Sequence, residues 1–182
     1  KVFACAFSPD GKHVAAADAA CRVIVWEADS GREAARFDAP SFLTISKGGN
    51  LPSCGLRRLA FSPDGRSLAV AGKGSSGEAY VISGNGLVQV FDWQTGKKSS
   101  EQKLGGGNTQ FEGLSWPGKS GWVVAAPFHP ANGALYFIDP SQARILKETP
   151  ATMQVYDLAV NEASDAVYVV GRGKAVKFEI PA

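Results

Sequence analysis

Four times along this chain an apolar run ends on a carboxylate: Val23-Ile24-Val25-Trp26-Glu27, Val88-Gln89-Val90-Phe91-Asp92, Leu135-Tyr136-Phe137-Ile138-Asp139 and Ala175-Val176-Lys177-Phe178-Glu179. A second apolar signature precedes each at comparable distance: Cys5-Ala6-Phe7, Leu59-Ala60-Phe61, Leu114-Ser115-Trp116 and Leu158-Ala159-Val160. Self-similarity of this kind limits the chain to an array of small, alike units that bury their apolar faces against one another. The length suits one ordinary domain, and a chain of 182 residues can bury roughly 70% of its unfolded surface.

Each unit reads as a run of strands. The first apolar run meets a turn: Ser8-Pro9-Asp10-Gly11, Ser62-Pro63-Asp64-Gly65, Pro117-Gly118-Lys119 or Asn161-Glu162-Ala163. Pro presets the backbone angle and Gly accepts a positive one, so tight hairpins are expected there. A second strand follows at 14–17, 68–71, 123–126 and 167–170, almost wholly apolar, as a strand covered on both faces should be. The third strand carries the terminal carboxylate. After another short turn, Asp29-Ser30-Gly31 or Gln94-Thr95-Gly96, comes a more polar fourth strand at 33–38 and 98–104, as an outer, half-solvated strand requires. No amphipathic helix is evident. Phe7, Phe61, Trp116 and Val160 lie 54, 55 and 44 residues apart. The shortest interval is close to the roughly 40–45 residues of a four-stranded propeller blade. The expectation is an all-β propeller of four-stranded antiparallel blades occupying 1–182 as a single domain, with blades at 1–38, 56–104, 110–148 and 154–180.

The pairing of Phe7-Ser8-Pro9-Asp10-Gly11 with Trp26-Glu27, and of Phe61-Ser62-Pro63-Asp64-Gly65 with Phe91-Asp92, resembles the WD-repeat β-propeller family over essentially the whole chain. The resemblance is strong in the first two units and degenerate in the last two. No Gly-His dipeptide opens any unit, and Ala20 stands near where the family's turn Asp would fall, so apolar packing is expected to replace that family's polar network. The resemblance implies a non-enzymatic scaffold for protein–protein interaction. The last unit stops after its third strand and the first begins at its innermost one. The expectation is therefore part of a larger ring, completed by missing sequence, by a copy of the chain or by a partner, in preference to a closed four-bladed disc. The start at Lys1, inside a unit and without Met, is read in the same way, as a fragment or processed form.

Composition narrows the partners. A formal charge of +2 is too small to imply nucleic acid or an anionic membrane, and no window offers the roughly 18 apolar residues of a spanning helix. Three cysteines without CxxC spacing argue against zinc and against a disulfide framework, which favours a reducing, cytoplasmic compartment. Cys5 takes the place of Leu59, Leu114 and Leu158 and reads as a small buried hydrophobe.

Length variation points to a surface. Connections from first to second strand and from third to fourth are short turns. The long ones are 39–55, 73–86, 105–109 and 127–133. In antiparallel blades these long connections emerge on one face, and loops on a rigid scaffold are the usual carriers of binding. Phe42, Leu43, Lys47, Lys73, Tyr80, Phe128 and His129 are the candidate contact residues.

Catalytic readings fare worse. Gly113-Leu114-Ser115-Trp116-Pro117-Gly118-Lys119-Ser120 satisfies a phosphate-loop pattern, but that pattern needs a helix at its end, and 122–126 reads as a strand. His13 reads as an exposed filler, and His129 as a solvated loop residue. Two isolated histidines make no metal cluster, no Gly-x-Ser-x-Gly elbow occurs, and no cofactor is expected. Glu27, Asp92, Asp139 and Glu179 recur structurally, so strand-end hydrogen bonding is their expected duty. Two alternatives remain open. One is a lactonase-like propeller enzyme using a set such as Asp18, Glu78 and His129; the other is a purely structural assembly module with exposed blade edges.

Overall fold

The computed structural model describes residues 1–44, 53–75, 85–105, 110–118, 121, 123–128 and 133–180. Its first sheet holds β1 (Val2–Phe7), β2 (His13–Asp18), β3 (Arg22–Glu27) and β4 (Glu33–Asp38). A small hairpin of β5 (Leu43–Thr44) and β6 (Ser53–Cys54) follows. The second sheet comprises β7 (Leu56–Phe61), β8 (Ser67–Lys73), β9 (Gly86–Asp92) and β10 (Lys97–Leu104). The third comprises β11 (Gln110–Ser115), β12 (Val123–Phe128), β13 (Ala134–Asp139) and β14 (Arg144–Pro150). The last has three strands: β15 (Val155–Val160), β16 (Ala166–Gly171) and β17 (Lys174–Glu179). Every sheet is an antiparallel meander in chain order, and β1, β7, β11 and β15 lie side by side as the inner strands of four blades. The one helical segment among the described residues is a single 3-10 turn at Pro40–Phe42.

The turns form as their residues dictate. Ser8 Oγ donates to Asp10 Oδ1 at 2.6 Å and accepts from the His13 backbone N–H at 2.9 Å. Ser62, Asp64 and Ser67 repeat this at 2.6 and 2.8 Å. Gly11 and Gly65 take the positive φ, 72° and 69°, that closes each hairpin. In the fourth blade the Asn161 side chain substitutes, accepting from the Asp165 and Ala166 N–H groups at 3.1 and 3.0 Å. The carboxylates ending the third strands order the next turn. Asp92 accepts from the backbone and side chain of Thr95, both at 2.9 Å, and Asp139 from those of Ser141 at 2.8 and 2.6 Å. Glu27 accepts from Ser30 at 2.7 Å and pairs with Arg32, whereas Glu179 instead pairs with Lys177.

These turn carboxyls have a pH consequence. Asp10, Asp64, Asp92 and Asp139 are all held below the ordinary 3.8, by hydrogen bonds from Ser8, Ser62, Thr95 and Ser141 respectively. A carboxyl whose folded pKa is depressed contributes stability that is present above its unfolded value and lost as pH falls through the folded one. The urea midpoint is therefore expected to be level near neutrality and to decline once pH drops below 3.8. An equilibrium titration from pH 7 to pH 2 checks this; a midpoint insensitive to acid would contradict it.

The blades pack through two distinct faces of each sheet. The trailing face of the first blade, with Ala15, Ala17, Val23, Val25 and Phe37, meets the leading face of the second, with Leu59, Phe61, Leu68, Val70 and Phe91. Ala69, Ala71, Val88 and Val90 of the second blade meet Val123, Ala125, Tyr136 and Ile138 of the third. Val124, Ala126, Leu135 and Phe137 of the third meet Val167, Val169, Leu158 and Phe178 of the fourth. At this last interface Gly113 leaves no room for a side chain, since a Cβ there would stand 2.4 Å from Leu158 Cγ.

Three expectations are corrected. Cys21 and Cys54 form a disulfide across 33 residues, bonding the β2–β3 turn to β6, so the reading of the cysteines as unpaired, and the reducing compartment drawn from it, lose their ground. The sequence spacing gave no hint of this, because the two sulfurs meet only once β6 folds back on the first blade. Cys5 does occupy the register position of Leu59 but is exposed where Leu59 is buried. His13 is half-buried rather than an exposed filler, its ring 4.9 Å from that of Trp93, which itself donates to Gly65 O at 2.7 Å.

Candidate functional site

Antiparallel order sends the β2–β3 and β8–β9 connections, and every passage from one blade to the next, to the same end of the sheets. At that end lies a cavity of about 270 Å³ lined by Ser41, Gly74, Ser75, Asn85, Leu87 and, from the C-terminal half of β10, Glu101 and Lys103. Backbone bonds shape it: Ser75 N–H donates to Ser41 O at 2.8 Å and Gly74 N–H to Asn85 O at 3.0 Å, so the 39–55 and 73–86 connections are tied together.

Beneath it sits Gln89, the one polar residue within the Leu87–Phe91 run of β9 and 1% exposed. Its Nε2 donates to Ser41 Oγ at 2.9 Å and to Glu101 Oε2 at 2.7 Å, while its Oε1 finds no partner among the described residues. Lys98 also donates to Glu101 Oε2 at 2.6 Å. The Lys98 and Gln89 bonds hold the Glu101 carboxyl below its usual range, so it stays ionised and acts as an acceptor. The cleft is thus polar, with a fixed carboxylate and an exposed Lys103 side by side.

A second cavity, of about 380 Å³, opens between the inner strands β1 and β7, lined by Val2, Phe3, Ala4, Arg57, Arg58 and Leu59. The Arg57 guanidinium lies 4.9 Å from the Phe3 ring centroid and donates to Cys54 O and Leu56 O, both at 2.8 Å. Burial, then the neighbouring Arg58 charge, lower its pKa, with Glu112 opposing. Arg58 reaches the next blade, donating to Glu112 O at 3.0 Å.

Few of the residues chosen from sequence gather here. Phe42 is fully buried between the first two blades and is a packing residue, which removes it from any contact surface. Leu43 is half-buried against the same core. Lys73 ends β8, half-buried, its pKa lowered by burial and by Arg57. Phe128 ends β12, its backbone opposite Gln110. Lys47, Tyr80 and His129 lie outside the described residues, as does Glu78. Asp18, its companion in the rival catalytic set, is engaged with Arg22 at 2.7 Å. Sequence reading missed Ser41, Gln89, Glu101 and Arg57; Gln89 alone carried a signal, as the polar break in Leu87–Phe91. No group of three His, Cys, Asp or Glu side chains suited to a metal occurs among the described residues. No described helix is long and apolar enough to cross a membrane. The phosphate-loop pattern begins inside β11 and is followed by strand β12 where a nucleotide site would need a helix.

Residues 1–27 match the WD domain, G-beta repeat family. No curated protein sequence matches the chain. Among solved structures, the computationally designed Ika4 protein aligns with a TM-score of 0.66 at 18% identity, over 100% of this chain and 92% of that one. Hydrazine synthase of Kuenenia stuttgartiensis aligns at 0.72 and 15% identity, and the WD40 repeats of RRP9 at 0.62 and 14%, each over 98% of this chain. The chain spans 46% and 51% of the length of these last two. Together with the blade architecture, these likenesses show the fold of a β-propeller, and residues 1–27 are similar in sequence to the WD domain, G-beta repeat family.

Proposed function

We propose that the chain is a non-enzymatic scaffold that binds a protein partner through the loop-rich end of its blades. The observation that carries this reading is the polar cleft of Ser41, Asn85, Glu101 and Lys103, seated where the 39–55 and 73–86 connections are tied to each other. Rigid sheets beneath it supply a preformed surface, so little rearrangement on binding is expected. WD40 domains commonly mediate protein interactions, and RRP9, which shares this fold, carries WD40 repeats. That step from fold to function is one of analogy. A protein partner is favoured over a small molecule because, among the described residues, the cleft pairs one fixed carboxylate with one exposed cation and shows no convergent donor set.

The test uses one strand with two ends. Lys103 and Lys97 are both exposed on β10, the first at the loop-rich end and the second beside the short β9–β10 turn. A photo-cross-linking amino acid at position 103 should give a discrete protein adduct in native extract, and the same group at 97 should give none. Equal labelling from both ends would overturn the assignment of the face, and stabilisation by divalent cations in a thermal shift would favour the enzymatic alternative.

A further inference from the structure

Each inner strand carries one extra residue at the same place. Val2 stands opposite Asp18 and Ala4 opposite Ala17, so Phe3 has no cross-strand partner in β2. Arg57 is passed over in the same way between Leu56 and Arg58, Glu112 between Phe111 and Gly113, and Tyr156 between Val155 and Asp157. A bulge takes its extra residue out of the two-sided alternation of a strand and re-aims the side chain. Because β1, β7, β11 and β15 lie side by side, the four bulges form a row across the inner strands. The row lies at the loop-rich end, where each of these strands begins.

Two members of the row, Phe3 and Arg57, line the cavity of about 380 Å³ between β1 and β7. The Arg57 guanidinium lies 4.9 Å from the Phe3 ring centroid, and its Nη1 is committed to Cys54 O and Leu56 O, both at 2.8 Å. That anchors the group and leaves its Nε–Nη2 edge without a partner among the described residues. This is the edge through which an arginine holds a carboxylate by two parallel hydrogen bonds. Arg58 and Lys73 add positive charge around it, and the one opposing carboxylate, Glu112, is paired with Arg58 at 3.5 Å. Arg58 is itself engaged, donating to Glu112 O and Arg57 O at 3.0 and 3.1 Å. Burial and the Arg58 charge lower the Arg57 pKa, so an anion brought from outside would stabilise its charged form.

We propose that this cavity receives an acidic side chain, Asp or Glu, of a partner protein, with Arg57 holding the carboxylate and Phe3 fixing the plane of the guanidinium. The inference rests on the protein-binding reading above for the class of partner, but on a different cavity and different residues. The space admits a side chain or two and is too small for a nucleic-acid strand. Its apolar walls, Val2, Ala4 and Leu59, suit the aliphatic stem of an acidic residue and offer a bare phosphate nothing to bond. With a net charge of only +2, the chain attracts such a group through this local cluster rather than through a field over its whole surface.

The probe is a fluorescein-labelled peptide of alternating Glu and Ser, its binding to the full chain read by anisotropy. The wild-type chain should bind it, and less tightly as salt rises. Arg57→Gln should weaken binding by at least about tenfold, the scale of a lost charge-assisted pair. Arg57→Lys keeps the charge but loses the fork and the stacking, and should fall nearly as far. Arg66→Gln removes an equal charge from the exposed β7–β8 turn at the other end of the sheet and should leave binding unchanged. Should the Arg57 variants fail to fold, Phe3→Leu keeps an apolar side chain in place and should still weaken binding by about threefold. No binding by the wild-type chain overturns the proposal. So do equal losses in Arg57→Gln and Arg66→Gln, full retention in Arg57→Lys, or tighter binding of a single-stranded oligonucleotide of equal charge. The two readings fail separately. An adduct from position 103 without peptide binding removes this one alone, and peptide binding lost in Arg57→Gln without any adduct from 103 removes only the cleft.

Discussion

Replacing Phe91 by Ala is expected to destabilise the fold by about 3–5 kcal/mol, the usual range for a buried Phe truncated to Ala. Phe91 is 3% exposed, stands opposite Leu68 in its own sheet, and lies 4.8 Å from the Phe37 ring of the preceding blade. The lost side chain therefore weakens a sheet and a blade interface together, and two stiff sheets collapse poorly into the gap between them. Equilibrium urea unfolding of the variant beside the wild-type chain checks the size. A change under about 1 kcal/mol would mean that Phe91 is not core, and the alignment of the repeats on which the blade assignment rests would fall with it. Trp26 holds the matching place in the first blade but is half-buried. Trp26→Ala should cost the isolated chain much less, so the pair of variants separates repeat position from actual burial.

That contrast marks how far the sequence could be read. The strands were legible because each obeys a local rule: a Ser-Pro-Asp-Gly turn, an apolar run, a terminal carboxylate. Glu33–Asp38 begins and ends where polarity rises, and the last sheet holds three strands among the described residues. Cys5 shows the limit. Its register was correct and its burial was not, because burial depends on what packs over a strand, which no local pattern encodes. Phe42 shows the converse error: lying in a long connection, it was read as surface, yet the 3-10 turn at Pro40–Phe42 drives its ring into the first interface. The candidate cleft was harder still. Ser41, Gln89 and Glu101 come from a connection, a middle strand and an outer strand, separated by 48 and 12 residues, and only the closed meander brings them within hydrogen-bond reach.

The Cys21–Cys54 bond carries the other large expected effect. Closing a loop of 33 residues removes denatured-state entropy worth about 3–4 kcal/mol in the chain-entropy account. Both sulfurs are buried, with Cys21 at 1% and Cys54 at 4% exposure, so the bond should survive mild reductant in the folded chain and break readily once the chain unfolds. Its position gives it a second duty. It fastens the β5–β6 hairpin to the first blade directly beneath the connection that supplies Ser41 to the cleft. Unfolding in urea with and without reductant should therefore differ in midpoint by about 1–2 M, taking about 2 kcal/mol per M as the slope. A Cys21→Ala, Cys54→Ala double variant should unfold near the lower midpoint and ignore the reductant. Thiol titration in denaturant decides the chemistry independently: one reactive thiol, from Cys5, if the bond is present, and three if all the cysteines are free. Three thiols together with coincident unfolding curves would remove the bond from the account of this fold and leave the hairpin held by Leu56, Phe42 and the first interface alone.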